Sequence, residues 1–211
     1  MNNQRIHFLV SSMFIQHIFG LFSDPVRQWE KIREQHSNGR GSIAHVFIMA
    51  LIPVLSCYYV TTQIGWRIGV GDPIRITADS ATAIAIIYYV ALLVGVYSIG
   101  WLIHLLGKAY EVERPLSLCT ALAAYTATPL FLIGIMEIYP VLWLNMLLGL
   151  PALAYTVYLL YTGIPVMMEI PAEKGFLYSS AVLAVGLIAL VALLALTALL
   201  WGIGLQPVFT H

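Results

Sequence analysis

Charge is what this chain has least of. Only 9% of its 211 residues are Asp, Glu, Lys or Arg, against roughly a quarter in an ordinary soluble domain, while 60% are hydrophobic. That balance excludes a protein wetted on all sides. Ten basic residues offset ten acidic ones, so no overall field draws in nucleic acid, and none is expected as a partner. Cysteine is nearly missing as well. Cys57 and Cys119 each sit inside an apolar run, which excludes a disulfide framework and a thiolate metal site and leaves them as small buried side chains. His7, His17, His36, His45 and His104 show no i, i+4 ligand spacing, so neither a metal nor a cofactor is expected.

Catalytic signatures are absent too. The chain has no H-E-x-x-H, no G-x-S-x-G and no phosphate-binding P-loop. Gly69-Val70-Gly71-Asp72 spells the G-x-G-D of intramembrane aspartyl proteases. That chemistry requires two aspartates facing each other from separate helices, one ionised and one holding the proton. Asp72 instead stands in a loop before Pro73, with Asp79 the nearest acid. The chain is read as non-enzymatic, with no catalytic residues.

What the chain does have is long apolar runs. Five of them, at about 43–64, 80–106, 116–136, 141–162 and 176–203, each reach the roughly 20 residues needed to cross a bilayer as a helix. They predict an all-α integral membrane protein with five transmembrane helices. Pro53, Pro129 and Pro151 interrupt three of the spans and predict kinks. Glu137 to Pro140 is short enough only for a tight turn, so the third and fourth spans form a hairpin. Small residues four apart, Ala91 with Gly95, Thr120 with Ala124 and Thr128, Ser180 with Ala184, and Ala198 with Gly202, predict close helix approaches and a homo-oligomer. His45, His104, Glu137 and Glu169 are the titratable groups at membrane depth, and the two histidines are read as interfacial.

Residues 1–42 form an N-terminal segment of two amphipathic helices. The first, 4–22, is too polar to cross and lies at the interface; Ser11, Ser12, Gln16 and His17 deny it the apolar core of a cleaved signal. Asp24-Pro25 supplies the N-cap and first residue of the second. Val26, Trp29 and Ile32 make its apolar side, and Arg27, Glu30, Lys31, Arg33 and Glu34 its polar side. The five-span domain occupies 43–204, and 205–211 is a short tail. With the N-terminus inside, Arg5, Arg27, Lys31, Arg33, Arg40, Lys108, Arg114 and Lys174 are cytoplasmic and only Arg67 and Arg75 lie outside. The positive-inside rule therefore predicts an inner-membrane protein with a cytoplasmic N-terminus and a periplasmic C-terminus.

The stretch Tyr155 to Pro171 closes the fourth span with tyrosines three residues apart, and Gly163 and Pro165 are expected to end the helix. Its core, Tyr158-Leu159-Leu160-Tyr161-Thr162-Gly163-Ile164-Pro165, continues through Met168, Pro171 and Lys174, and Asp24-Pro25 with Trp29 is its N-terminal counterpart. These residues resemble the Yip family, the Ypt-interacting membrane proteins, in its bacterial inner-membrane branch. The resemblance covers most of the chain and implies five crowded spans behind a helical N-terminus. Eukaryotic members are associated with prenylated Rab-type GTPases and vesicle traffic. The acidic Asp-Leu-x-Gly-Pro type motif expected of them is missing, and Gly71-Asp72-Pro73 does not replace it, so Rab binding is not carried over. The bacterial branch has no assigned activity.

Two functional readings follow. In the first, the protein binds membrane lipid or an unidentified membrane or cytoplasmic protein at its cytoplasmic face, through Trp29, Tyr158, Tyr161, Gly163, Pro165 and Pro171, in a membrane-organising or trafficking-like role. In the second, it is a small-solute or ion transporter or channel, whose proline-broken helices enclose a polar line of Thr126, Thr128, Asn145, Tyr155 and Thr156.

Overall fold

A computed structural model describes residues 16–36, 42–65 and 75–202. Residues 66–74, which hold the G-x-G-D run, the link 37–41 and the tail 205–211 lie outside them, as do 4–15 of the first predicted helix and the packing of the Ala198 and Gly202 pair. The described residues are helical, without strands. Helix α1 covers 16–23 and α2 runs Pro25–His36. Asp24 separates them and caps α2, its Oδ1 accepting from the Arg27 N–H at 3.2 Å. Helix α3, Ser42–Tyr59, carries Pro53 and closes in a π turn, Val60–Ile64. Helix α4, Ala78–Ala109, starts at a Thr77 cap whose hydroxyl accepts from the Ser80 N–H.

Helices α5, Leu116–Thr126, and α6, Thr128–Ile133, divide the third span at Ala127, two residues before Pro129 removes a backbone donor; a 3₁₀ turn, Gly134–Ile138, completes it. Helices α7, Leu142–Met168, and α8, Ala172–Gly202, follow. Among the described residues, five segments are long and apolar enough to cross a membrane: Ala44–Ile64, Ala78–Ala109, Leu116–Ile138, Leu142–Met168 and Ala172–Ala192.

Gly163 and Pro165 do not end the fourth span. Helix α7 continues through both and stops at Glu169, which takes the left-handed conformation at φ 54° and ψ 52° while the Ile170 N–H returns to the Pro165 carbonyl at 3.1 Å. Gly163 serves packing: a Cβ there would lie 2.6 Å from Leu122 Cδ1 and 2.8 Å from Trp29 Cε2. The Pro165 ring packs on Gly175, at 2.9 Å by the same measure, so it fixes the α7–α8 corner without stopping the helix.

The main core holds Leu21, Trp29 and Ile32 together with Ile103, Leu122, Leu159, Ile164, Met167 and Tyr178. Helices α1 and α2 thus share the core of the spanning bundle instead of lying apart from it. A smaller cluster of Met49, Ala50 and Phe131 joins α3 to α6, where Gly134 lets Pro53 come close. The seam on α5 and the start of α6 faces inward as its spacing predicts, with Ala124 and Thr128 fully buried and Thr120 against Gly100. Ala91 and Gly95 do not form a seam within the chain: both face outward, and nothing stands within 4 Å of a Cβ at Gly95.

Candidate functional site

The organising feature is how α2 lies along α7. The Tyr155 hydroxyl donates to the Leu21 carbonyl at 2.7 Å, Trp29 Nε1 donates to Thr162 Oγ1 at 3.3 Å, and Arg33 Nη1 donates to the Val166 carbonyl at 3.0 Å. Partner numbers rise together along both chains. Helix α2 therefore runs parallel to α7, from the middle of that helix to its Glu169 end. The three-residue step from Trp29 to Ile32 puts both on one face, and both are fully buried. Val26, assigned to the same apolar side, stays exposed.

At the end of α7, two arginines converge on one carboxylate. Arg33 Nη1 lies 3.3 Å from Glu169 Oε1, and Arg114 Nη2 bonds Glu169 Oε2. Arg114 Nε also donates to the Met168 carbonyl at 3.2 Å. The Val166 and Met168 carbonyls belong to the last turn of α7, which lacks intrahelical donors and carries the negative end of the helix dipole, so cations belong there. Arg114 comes from the α4–α5 connection, where its own carbonyl pairs with His104 Nδ1 at 2.9 Å. One carboxylate thus ties α2, the α4–α5 connection and the α7–α8 corner together. These side chains stay about a third to a half exposed, so the ion pairs contribute little by themselves and the carbonyl bonds set the geometry.

A second polar group lies inside the bundle. His45 is 2% exposed, which corrects its reading as interfacial. Its Nε2 pairs with Thr128 Oγ1 at 2.9 Å, and its ring lies 4.2 Å from that of Tyr125. On another side of Tyr125, His17 approaches edge-on at 5.7 Å and accepts a bond from Gln28 Nε2. Local pattern could not reveal this cluster, because it joins α1, α2, α3, α5 and α6 through their relative heights. Only the small polar seam ending at Thr128 hinted at it.

The residues expected to bind a partner divide into two groups. Trp29, Gly163 and Pro165 face inward and hold α2, α7 and α8 together. Tyr158 and Pro171 are exposed, and Tyr161 is half-buried with its hydroxyl bonded to Ser180 Oγ at 2.8 Å. The five polar residues expected to line a path are not joined by the described hydrogen bonds. Thr128 pairs with His45, Asn145 Nδ2 donates to the Tyr139 carbonyl at 3.0 Å, and Tyr155 is tied to Leu21. Thr126 Oγ1 and Thr156 Oγ1 are buried without a hydrogen-bond partner. A groove of about 340 Å³ between α3, α4 and α5 is lined by Val46, Phe47, Leu93, Val94, Val96, Tyr97 and Thr120, an apolar set that shares no residue with that line. Among the described residues no three His, Cys, Asp or Glu side chains gather as a metal site.

Residues 19–206 match the model of the Yip1 domain, which takes in most of α1, all of α2 and the five spans. The chain belongs to the Yip1 family. This Yip1 protein is 42% identical over 193 residues to "Inner membrane protein YohC" of Escherichia coli (strain K12), covering 91% of this chain and 99% of that one. The same figures hold for the protein of that name from Escherichia coli O6:H1. No solved structure matches the chain. Within the matched range, Thr162, Gly163 and Val166 lie on the side of α7 on which α2 docks.

Proposed function

We propose that this Yip1 protein is a non-enzymatic, multi-pass inner-membrane component that binds a protein partner at its cytoplasmic face, in a role of membrane organisation. The observation that carries the reading is the division of α2 into two faces. Trp29 and Ile32 are fully buried against the bundle, whereas Arg27, Glu30 and Lys31 are exposed. A mixed-charge helix face held by a buried aromatic anchor presents a surface of fixed shape, which lowers the ordering cost of binding. Tyr158 and Pro171 stand exposed on α7 and at the α7–α8 corner that α2 reaches. The excess of Lys and Arg on this side supports its cytoplasmic placement, and the name of the Escherichia coli relatives supports residence in the inner membrane. The transporter reading draws less support, because Thr128, Asn145 and Tyr155 are bonded to separate neighbours and no hydrogen bond joins the five residues into one line.

Removing residues 1–37 would strip Leu21, Trp29 and Ile32 from the core, so a surface change is the cleaner test. Arg27→Glu combined with Lys31→Glu reverses the charge of the exposed face and leaves the buried one intact. Crosslinking in native membranes should then lose the partner adducts obtained with the native chain, at equal abundance of the protein. An unchanged set of adducts would refute a partner site on this face.

A further inference from the structure

The corner between α1 and α2 exposes apolar side chains where a water-facing helix would not. Phe19 is 71% exposed, and Phe22 and Val26 are each 47% exposed. Spaced i, i+3 and i+7, they share one side of the corner. Phe22 stacks flat on Tyr155, with ring centroids 5.0 Å apart, and the Leu21 carbonyl is bonded to the same tyrosine. That contact fixes the height of the corner on a membrane-spanning helix.

Tyr155, Tyr158 and Tyr161 lie along the half of α7 that leads to Glu169, and tyrosines gather between lipid tails and headgroups. Tyr155 is six residues before Tyr161, so the corner sits about 9 Å deeper along α7 than Tyr161, a step comparable to the ~5–10 Å to which interfacial helices sink their apolar faces. On the tail side, the α7 residues that share the Tyr155 face are Pro151, which is exposed, and Leu148, which is half-buried. The patch therefore continues the lipid-facing wall of a span.

We propose that the α1–α2 corner is a lipid-inserted wedge: Phe19, Phe22 and Val26 enter the tail–headgroup boundary of the leaflet at the Glu169 end, and the partner of this patch is phospholipid. The charges fit that depth. Asp24 is held at the cap of α2, and Arg27 and Lys31 follow on the part of the helix that climbs toward Glu169, where long basic side chains reach the headgroups. The wedge adds volume to one leaflet alone. It does not depend on which side of the membrane the N-terminus occupies, nor on a protein partner.

The test uses the full chain with Cys57→Ala and Cys119→Ala, carrying Phe19→Cys, Val26→Cys or Glu30→Cys labelled with an NBD fluorophore. The labelled proteins are reconstituted at low protein-to-lipid ratio into phosphatidylethanolamine–phosphatidylglycerol vesicles. Labels at 19 and 26 should emit to the blue, be quenched by lipids bearing a nitroxide near the top of the acyl chain, and be severalfold less sensitive to aqueous iodide than the label at 30. Two positions on the patch guard against one variant failing to fold. Iodide quenching at 19 and 26 equal to that at 30 would overturn the proposal. So would protection from both quenchers, which would mean that a second copy covers the patch. Since these vesicles hold no other protein, failure here is distinct from failure of the crosslinking test above.

Discussion

Replacing Trp29 with alanine should lower stability by about 3–5 kcal/mol, the range for emptying a buried large aromatic position. Trp29 is fully buried, and its ring fills the space left by Gly163, where a Cβ would stand 2.8 Å from Cε2 and 3.0 Å from Cζ2. Its indole N–H also loses Thr162. Thermal unfolding in detergent, followed by circular dichroism, reads the loss. Limited proteolysis should cut within α2 of Trp29→Ala long before it cuts the native chain. A loss below ~1 kcal/mol would place the tryptophan outside a packed contact.

Gly100→Leu should be the most damaging single change within the spans. A Cβ at Gly100 would lie 2.7 Å from Thr120 Cα and 3.0 Å from Thr120 N. Both are backbone atoms, so no rotamer change relieves the clash, and α4 must separate from α5. Overpacking of a tight core commonly costs 1–3 kcal/mol and sometimes more, and this contact should fall at or above about 3 kcal/mol. Gly95→Leu supplies the control on the same helix, since nothing lies within 4 Å of its Cβ. The monomer should tolerate it with little change in midpoint. Equal losses at 95 and 100 would contradict the assigned packing of α4.

These contrasts also mark what the sequence could reveal. The five spans were legible because the length of an apolar run is a local property, and the start of α2 was legible because Asp24 and Pro25 are neighbours. The end of α7 was not. Gly163 and Pro165 carry a strong local stop signal, yet packing of Trp29 and Gly175 against them keeps the helix going to Glu169. Four-residue spacing marked Ala91 and Gly95 as a contact while missing Gly100, since spacing shows that small residues share a face but not what that face meets. His45 looked interfacial by its place near the start of a span; the height of α3 beside Tyr125 and Thr128, a nonlocal quantity, buries it. The candidate site was half visible for the same reason. Its residue types were readable, but the division between inward Trp29, Gly163 and Pro165 and outward Tyr158 and Pro171 required the fold.

Helix α2 is a fixed part of the bundle, docked along α7, and not a tether that moves freely. Spin labels at Lys31→Cys and Glu173→Cys, in a background of Cys57→Ala and Cys119→Ala, report the distance between α2 and the start of α8 in lipid bilayers by pulsed electron resonance. The docked arrangement predicts one narrow distance population in the otherwise native chain, broadened when Trp29→Ala is added. A broad distribution reaching long distances in the chain that retains Trp29 would contradict it.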